Sequence, residues 1–199
     1  EKVLSLGLDT WFHPSVDVQR QDNSDLYAFD GLSKFDIIQP GDLIHCDFGI
    51  SYLTLNTDTQ ELGYILKPGE TKAPEYLINA LKEGNRVQDI FTNNFVFGVS
   101  GNEILKKSLE EGRDEGLRPS IYTHPLGTYG HSAGTTIGMW DSQGGVPFTG
   151  DYPLQYNTAY AIELNTTVYI EEWKKDIRIM LEVPGFFGKD GFRYIKGRQ

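Results

Sequence analysis

Positive charge is scarce in this chain. Its 199 residues hold 18 Lys and Arg against 28 Asp and Glu, a formal net charge of −10. Phosphate backbones are bound by clusters of Lys and Arg, so nucleic acid is not an expected partner. No apolar run approaches the ~18 residues of a membrane-crossing helix, and no membrane partner is expected. Cysteine occurs once, at Cys46, which rules out a disulfide within the chain and leaves the redox compartment open. Repeats, low-complexity tracts and linker-like stretches are lacking as well. The chain opens on "EKVLSLGLDTWFHP" with neither Met nor a signal peptide. That suggests a processed form or a fragment, and leaves the compartment open between cytoplasmic and exported.

What is present reads as one globular domain. Hydrophobic residues make up 39% and aromatics 13%, enough for a chain of this length to bury a core. Residues 15–21 alternate as a strand does. "IQPGDLIHCDFGI" gives a turn into a strand of about 42–49, and "LNTDTQELGYIL" gives its return. From Pro74, suited to a first helical turn, Leu77, Ala80, Leu81, Gly84, Val87, Gln88 and Phe91 recur at helical spacing. Ser100 to Glu103 ("SGNE") forms a capping box ahead of Ile104, Leu105 and Leu109 on one helical face. Residues 122–150 are rich in Gly, Thr and His and read as loops and short strands. "TAYAIELNTTVYI" and "DIRIMLEV" are strands, and "EEWKK" between them reads as a solvated hairpin end. The fold class is α+β, with mostly antiparallel strands.

The chemistry lies in carboxylates placed where apolar residues belong. Asp47 sits in a strand of Leu43, Ile44, Cys46 and Phe48, and Asp58 sits on the return strand. A buried, unpaired carboxylate protonates or acquires a cation. If residue 47 pairs with 58, then 51 pairs with 54, and the two aspartates stand opposite each other with Cβ atoms roughly 5 Å apart. Against that register, Tyr52-Leu53 makes a poor two-residue turn. Glu163 is mid-strand between Ile162 and Leu164, Glu182 closes "IRIMLE" before Pro184, and His131 is held in the Gly-rich "YGHSAG". Singly each has an ordinary structural reading. Jointly, four carboxylates and one imidazole match a site for two hard-to-borderline divalent cations about 3.5–4 Å apart.

An Asp, a second Asp eleven positions on, then His, Glu and Glu: in this order the chain resembles the pita-bread metallopeptidases. These include methionine aminopeptidase, aminopeptidase P, prolidase and the metal-free creatinase. The likeness runs from about Trp11 to Phe187, through "GDLIHCDFGISYLTLNTDTQ", "HPLGTYGHSAG", "YAIELNTTVY" and "IMLEV". The resemblance implies a curved, mostly antiparallel sheet with helices on its outer face. It also implies that Asp47 holds one metal, His131 and Glu163 the other, with Asp58 and Glu182 bridging. Glu163 would serve as proton shuttle for water activated between the metals. Two metal ions are implied, Mn²⁺ before Co²⁺ or Zn²⁺ because oxygen ligands predominate.

The substrate side departs from the family. A histidine usual seven residues after the metal His is here Gly138, and a second, some seventeen or eighteen before the first metal Asp, is replaced around Phe29 and Asp30. His124, matching the first His of the family's "HGLGH", is then the candidate to compensate in catalysis. His45, two residues before Asp47 and so on its face, and Trp140 are weaker substrate-binding candidates. Residues 1–199 would form a carboxy-terminal catalytic domain lacking its first helices and a preceding amino-terminal domain. The uncovered sheet would associate with that segment or as a homo-oligomer such as a dimer. The expected function is a dinuclear aminopeptidase of the Xaa-Pro type acting on peptides. The alternatives are a hydrolase of another amide, or a non-catalytic relative that binds peptides.

Overall fold

Two long strands, paired along almost their whole length, form the spine of the fold. In the computed structural model, which describes residues 1–21 and 37–199, the elements run in this order. They are α1 (Lys2–Ser5), β1 (Asp9–Thr10), β2 (Ser15–Gln19), β3 (Leu43–Phe48), β4 (Ile50–Tyr52), β5 (Leu55–Asn56) and β6 (Thr59–Tyr64). Then come α2 (Glu75–Asn93), α3 (Gly101–Asp114), β7 (Pro119–Ile121) and β8 (His124–Leu126). A short 3₁₀ turn (Thr149–Asp151) leads to β9 (Thr158–Ile170), β10 (Lys175–Gly188) and β11 (Gly191–Tyr194). The main sheet has the order β2-β3-β6-β10-β9-β7, with β8 also on β9 and β11 on β10. Every pairing in it is antiparallel.

Side-chain alternation divides the work of the spine. Tyr160, Ile162, Leu164 and Val168 on β9, with Ile177, Ile179, Leu181 and Val183 on β10, are buried. All but Val183 belong to one core with the apolar faces of α2 and α3. Helix α2 offers Leu77, Ala80, Gly84, Val87 and Phe91 at helical spacing. Gly84 is needed there because a Cβ would lie 2.7 Å from Ile179 and 2.8 Å from Leu181. Helix α3 begins at the capping box: Ser100 Oγ accepts from the Glu103 N–H, and Glu103 accepts from the Ser100 N–H. It buries Ile104, Leu105 and Leu109, each contributing roughly 1.5–3 kcal/mol over an exposed position. The helices thus cover one face. The alternate residues of β9 and β10, Glu163 and Glu182 among them, project from the other.

Three local expectations needed correction. Asp47 pairs with Gln60, not Asp58. Tyr52 pairs with Leu55, so the turn is Leu53-Thr54, both at positive φ (48° and 64°). Such a turn matches strand twist, whereas Tyr52-Leu53 would not. Strand β10 does not stop at Glu182 but runs to Gly188. Pro184, which has no N–H, sits where its neighbour on that edge changes from β6 at Glu182 to β11 at Gly185. Finally, the "EEWKK" turn carries a buried residue, Trp173, whose indole donates to Tyr76 Oη at 3.2 Å.

Candidate metal centre

Strand register lines the acidic residues up across the sheet. Asp47 on β3 faces Gln60 on β6, Gln60 faces Glu182 on β10, and Glu182 faces Glu163 on β9. Directly opposed residues share a face, so these four side chains form one transverse row. Asp58 lies two positions before Gln60, on the same face and diagonal to Asp47. Strand β8 pairs His124 with Ala161, two residues from Glu163, which brings the imidazole over the same row. The hairpin bends at Gly49, where Trp11 and Phe12 pack so closely that a Cβ would collide with both rings. Trp11 is fixed by its indole N–H donating to the Thr57 carbonyl at 2.7 Å.

At the centre of this arrangement is His124, only 3% exposed. Its Nε2 lies 3.6 Å from Glu182 Oε1, 3.7 Å from Asp58 Oδ2 and 4.0 Å from Glu163 Oε2. Its Nδ1 faces the Pro125 carbonyl at 3.3 Å, so Nδ1 carries the proton and Nε2 presents a lone pair to the carboxylates. Asp47, Asp58 and Glu182 bring ligand atoms within 4.8 Å of one another, as do His124, Glu163 and Glu182, and Asp58, His124 and His131. Asp47 Oδ1, His124 Nε2 and Glu182 Oε1 are buried without a hydrogen-bond partner among the described residues. Orphaned acceptors of this kind are costly. A lone pair aimed at carboxylates is satisfied by cations, and the oxygen-rich donor set fits hard-to-borderline divalent ions.

Burial and crowding hold protons on the cluster when no cation is bound. Asp58 is pushed up to about 7 by burial and then by the charge of Asp47. Glu163 is raised well above the carboxylate range by burial and then by Glu182, and Glu182 by burial and then by Asp58 and Asp47. Asp47 is raised by burial. Burial lowers His124 against the pull of Asp58, and burial with the neighbouring His124 takes His131 to about 4. Perturbation of so many groups in one cleft makes it a candidate functional site.

The other expected residues fall around this centre. His131 is exposed at the mouth of a cleft of about 260 Å³, lined by Trp11, Phe12, Asp47, Asp58, Tyr122, Glu163 and Glu182. Its Nδ1 lies 3.2 Å from Tyr122 Oη. His45 is buried beside the row and bonds Gln60 rather than opening onto the cleft. Trp140 is 62% exposed and borders an adjoining recess with Asp17, His45 and Asn165. Gly138 cannot host a side chain: its φ is +72°, and a Cβ would strike the Ile121 carbonyl. Phe29 and Asp30 lie outside the described residues. Sequence reasoning missed Gln60, Trp11, Phe12 and Tyr122. Gln60 had a signal, since it stands two residues after Asp58, in step with the alternation of β6.

No protein-family model matches the chain, and no curated protein matches its sequence. Solved structures do match. An X-Pro aminopeptidase from Thermotoga maritima superposes with a TM-score of 0.68 at 18% identity, over 96% of this chain and 48% of its own. A dipeptidase from Pyrococcus horikoshii gives 0.68 at 16%, over 96% and 48%. A methionine aminopeptidase from Rickettsia prowazekii gives 0.63 at 13%, over 91% and 72%. The chain spans about half the length of the first two. The fold is therefore the pita-bread fold, α+β as expected, and the solved structures that share it here are peptidases.

Proposed function

We propose that the chain is the catalytic part of a metal-dependent aminopeptidase of the Xaa-Pro type, with two metal positions. The observation that carries this reading is the set of three buried orphan atoms, Asp47 Oδ1, His124 Nε2 and Glu182 Oε1, gathered over one row of carboxylates. The geometry favours a different assignment of the histidines from that drawn on sequence order. His124, not His131, supplies the metal nitrogen. His131 then stands seven residues after it, at the spacing of the substrate histidine that Gly138 fails to supply.

In this assignment Asp47 would hold one ion and His124 and Glu163 the other, with Asp58 and Glu182 serving both positions. Bound divalent ions would supply Lewis acidity toward the scissile carbonyl and acidify water at neutral pH. Glu163 is the residue that moves protons. One of its oxygens faces His124, and its environment disfavours the charged form, so it can take a proton and return it to the leaving amine. His131 and Tyr122 at the cleft mouth are placed to donate to the peptide carbonyl as charge develops there. Trp11 and Phe12 wall the cleft and exclude bulk water from it.

The test is cleavage of Xaa-Pro peptides of several lengths, with Mn²⁺ and after chelation. Release of the amino-terminal residue only with metal supports the reading. Metal-independent cleavage, or metal uptake with no cleavage of any peptide, contradicts it.

A further inference from the structure

Gln60 stands in the acidic row yet is neither a carboxylate nor among the groups assigned to hold metal. It is 6% exposed, with Asp47 opposite on one side and Glu182 on the other. Its side chain reaches past Glu182, and Nε2 donates to Glu163 Oε1 at 2.7 Å. Its other end meets a buried imidazole: His45 Nε2 lies 2.9 Å from Gln60 Oε1. Behind that, Asp17 Oδ2 lies 3.4 Å from His45 Nδ1, the two residues being paired across β2 and β3. A line Asp17, His45, Gln60, Glu163 thus crosses the sheet below the cleft.

Chemistry fixes the polarity of this line. Ionised, as it must be to take a metal, the Glu163 carboxylate only accepts, so the amide must then turn its NH₂ toward it. Its oxygen then faces His45, and Nε2 of His45 must donate to it. Flipping the amide would set oxygen against the ionised carboxylate at one end and, with the proton on His45 Nε2, N–H against N–H at the other. His45 therefore locks the amide, and the amide locks one oxygen of Glu163. The second oxygen, Oε2, is left facing His124.

We infer that Gln60, locked by His45, is a positioning residue that fixes the Glu163 carboxylate so that a single oxygen is presented to the metal centre. The inference rests on the reading of Glu163 as ligand and proton carrier. Partners of this kind orient a ligand and tune its affinity, and their loss typically costs about 10–100-fold in metal affinity or activity.

Mn²⁺ titration calorimetry on the intact chain provides the test. Gln60→Leu, which keeps bulk and removes the amide, should weaken Mn²⁺ binding about tenfold or more. His45→Leu should weaken it in the same direction, and the double variant should lie within about twofold of Gln60→Leu alone, because the two act in one line. His45→Gln, which restores an N–H donor, should recover most of the loss. In peptide cleavage, kcat of Gln60→Leu should fall about tenfold while KM stays within about twofold. In ¹⁵N-labelled metal-free protein, the Gln60 side-chain amide signal (identified by its loss in Gln60→Leu) should shift in both Glu163→Gln and His45→Leu. Mn²⁺ affinity of Gln60→Leu within twofold of wild type, or an amide signal unmoved by either neighbour, would overturn the inference. If wild type binds Mn²⁺ but cleaves no peptide, the proposed function fails while the calorimetry still decides the role of Gln60. If it binds no Mn²⁺, the amide signal decides it.

Discussion

His124 and His131 lie with ring centroids 4.0 Å apart, one sealed among carboxylates and the other open at the cleft mouth. Two imidazoles in contact need not share a role. A metal nitrogen requires burial, a fixed tautomer and an unpaired lone pair, and His124 has all three. A donor to substrate requires access, which His131 has.

Removing Glu163's acid–base capacity should be felt mainly in turnover. Glu163→Gln, assayed at saturating Mn²⁺, should lower kcat by about 10² or more with a smaller change in KM. Undiminished kcat with metal bound would assign proton transfer to another group.

Stability of the metal-free protein should fall as pH rises above about 6.5. Asp58 titrates near 7 when folded and near 3.8 as an isolated group, so the folded state binds the extra proton over that interval. Where the folded state holds more protons, stability decreases with pH. Glu163 and Glu182 act in the same sense. His131, at about 4 folded against 6.5 free, acts oppositely, but only below 6.5. Thermal melts from pH 6.5 to 8 should show a declining Tm that saturating Mn²⁺ reverses, because the ions bind the deprotonated cluster. A Tm that rises over this range without metal would contradict the crowding described.

Position 138 should not accept the histidine that sequence order suggests. Gly138→His imposes a left-handed backbone on a side chain, about 1–2 kcal/mol, besides collision with the Ile121 carbonyl. The expected result is a lower Tm and no gain in peptide turnover. A stable variant with enhanced turnover would restore Gly138 as the substrate position.

Much of this was legible because period and chemistry coincide. The helical spacing through Phe91, the "SGNE" cap and the apolar alternation around Glu163 and Glu182 each specify local structure, and the structure has them at Glu75–Asn93, Ser100 and β9–β10. The register of the first hairpin was not legible, since two turns one residue apart both bring Asp47 and Asp58 to one face. Sequence order put the metal nitrogen at His131, because two imidazoles seven residues apart in a Gly-rich stretch do not show which one is buried. Only the pairing of β8 with β9, three residues long, decides it. Gln60 was passed over because an amide in a strand looks inert until its two partners, 15 and 103 residues away, are in place.

Metal content tests the central claim most directly. Elemental analysis of purified protein should find divalent transition metal approaching two ions per chain. His124→Ala should lose most of it, since the carboxylates of Asp58, Glu163 and Glu182 are left without their nitrogen partner. His131→Ala should keep the metal while kcat falls about a hundredfold, the usual scale for loss of one transition-state donor. Full metal in His124→Ala, or metal lost from His131→Ala instead, would contradict the assignment of His124 as the metal nitrogen.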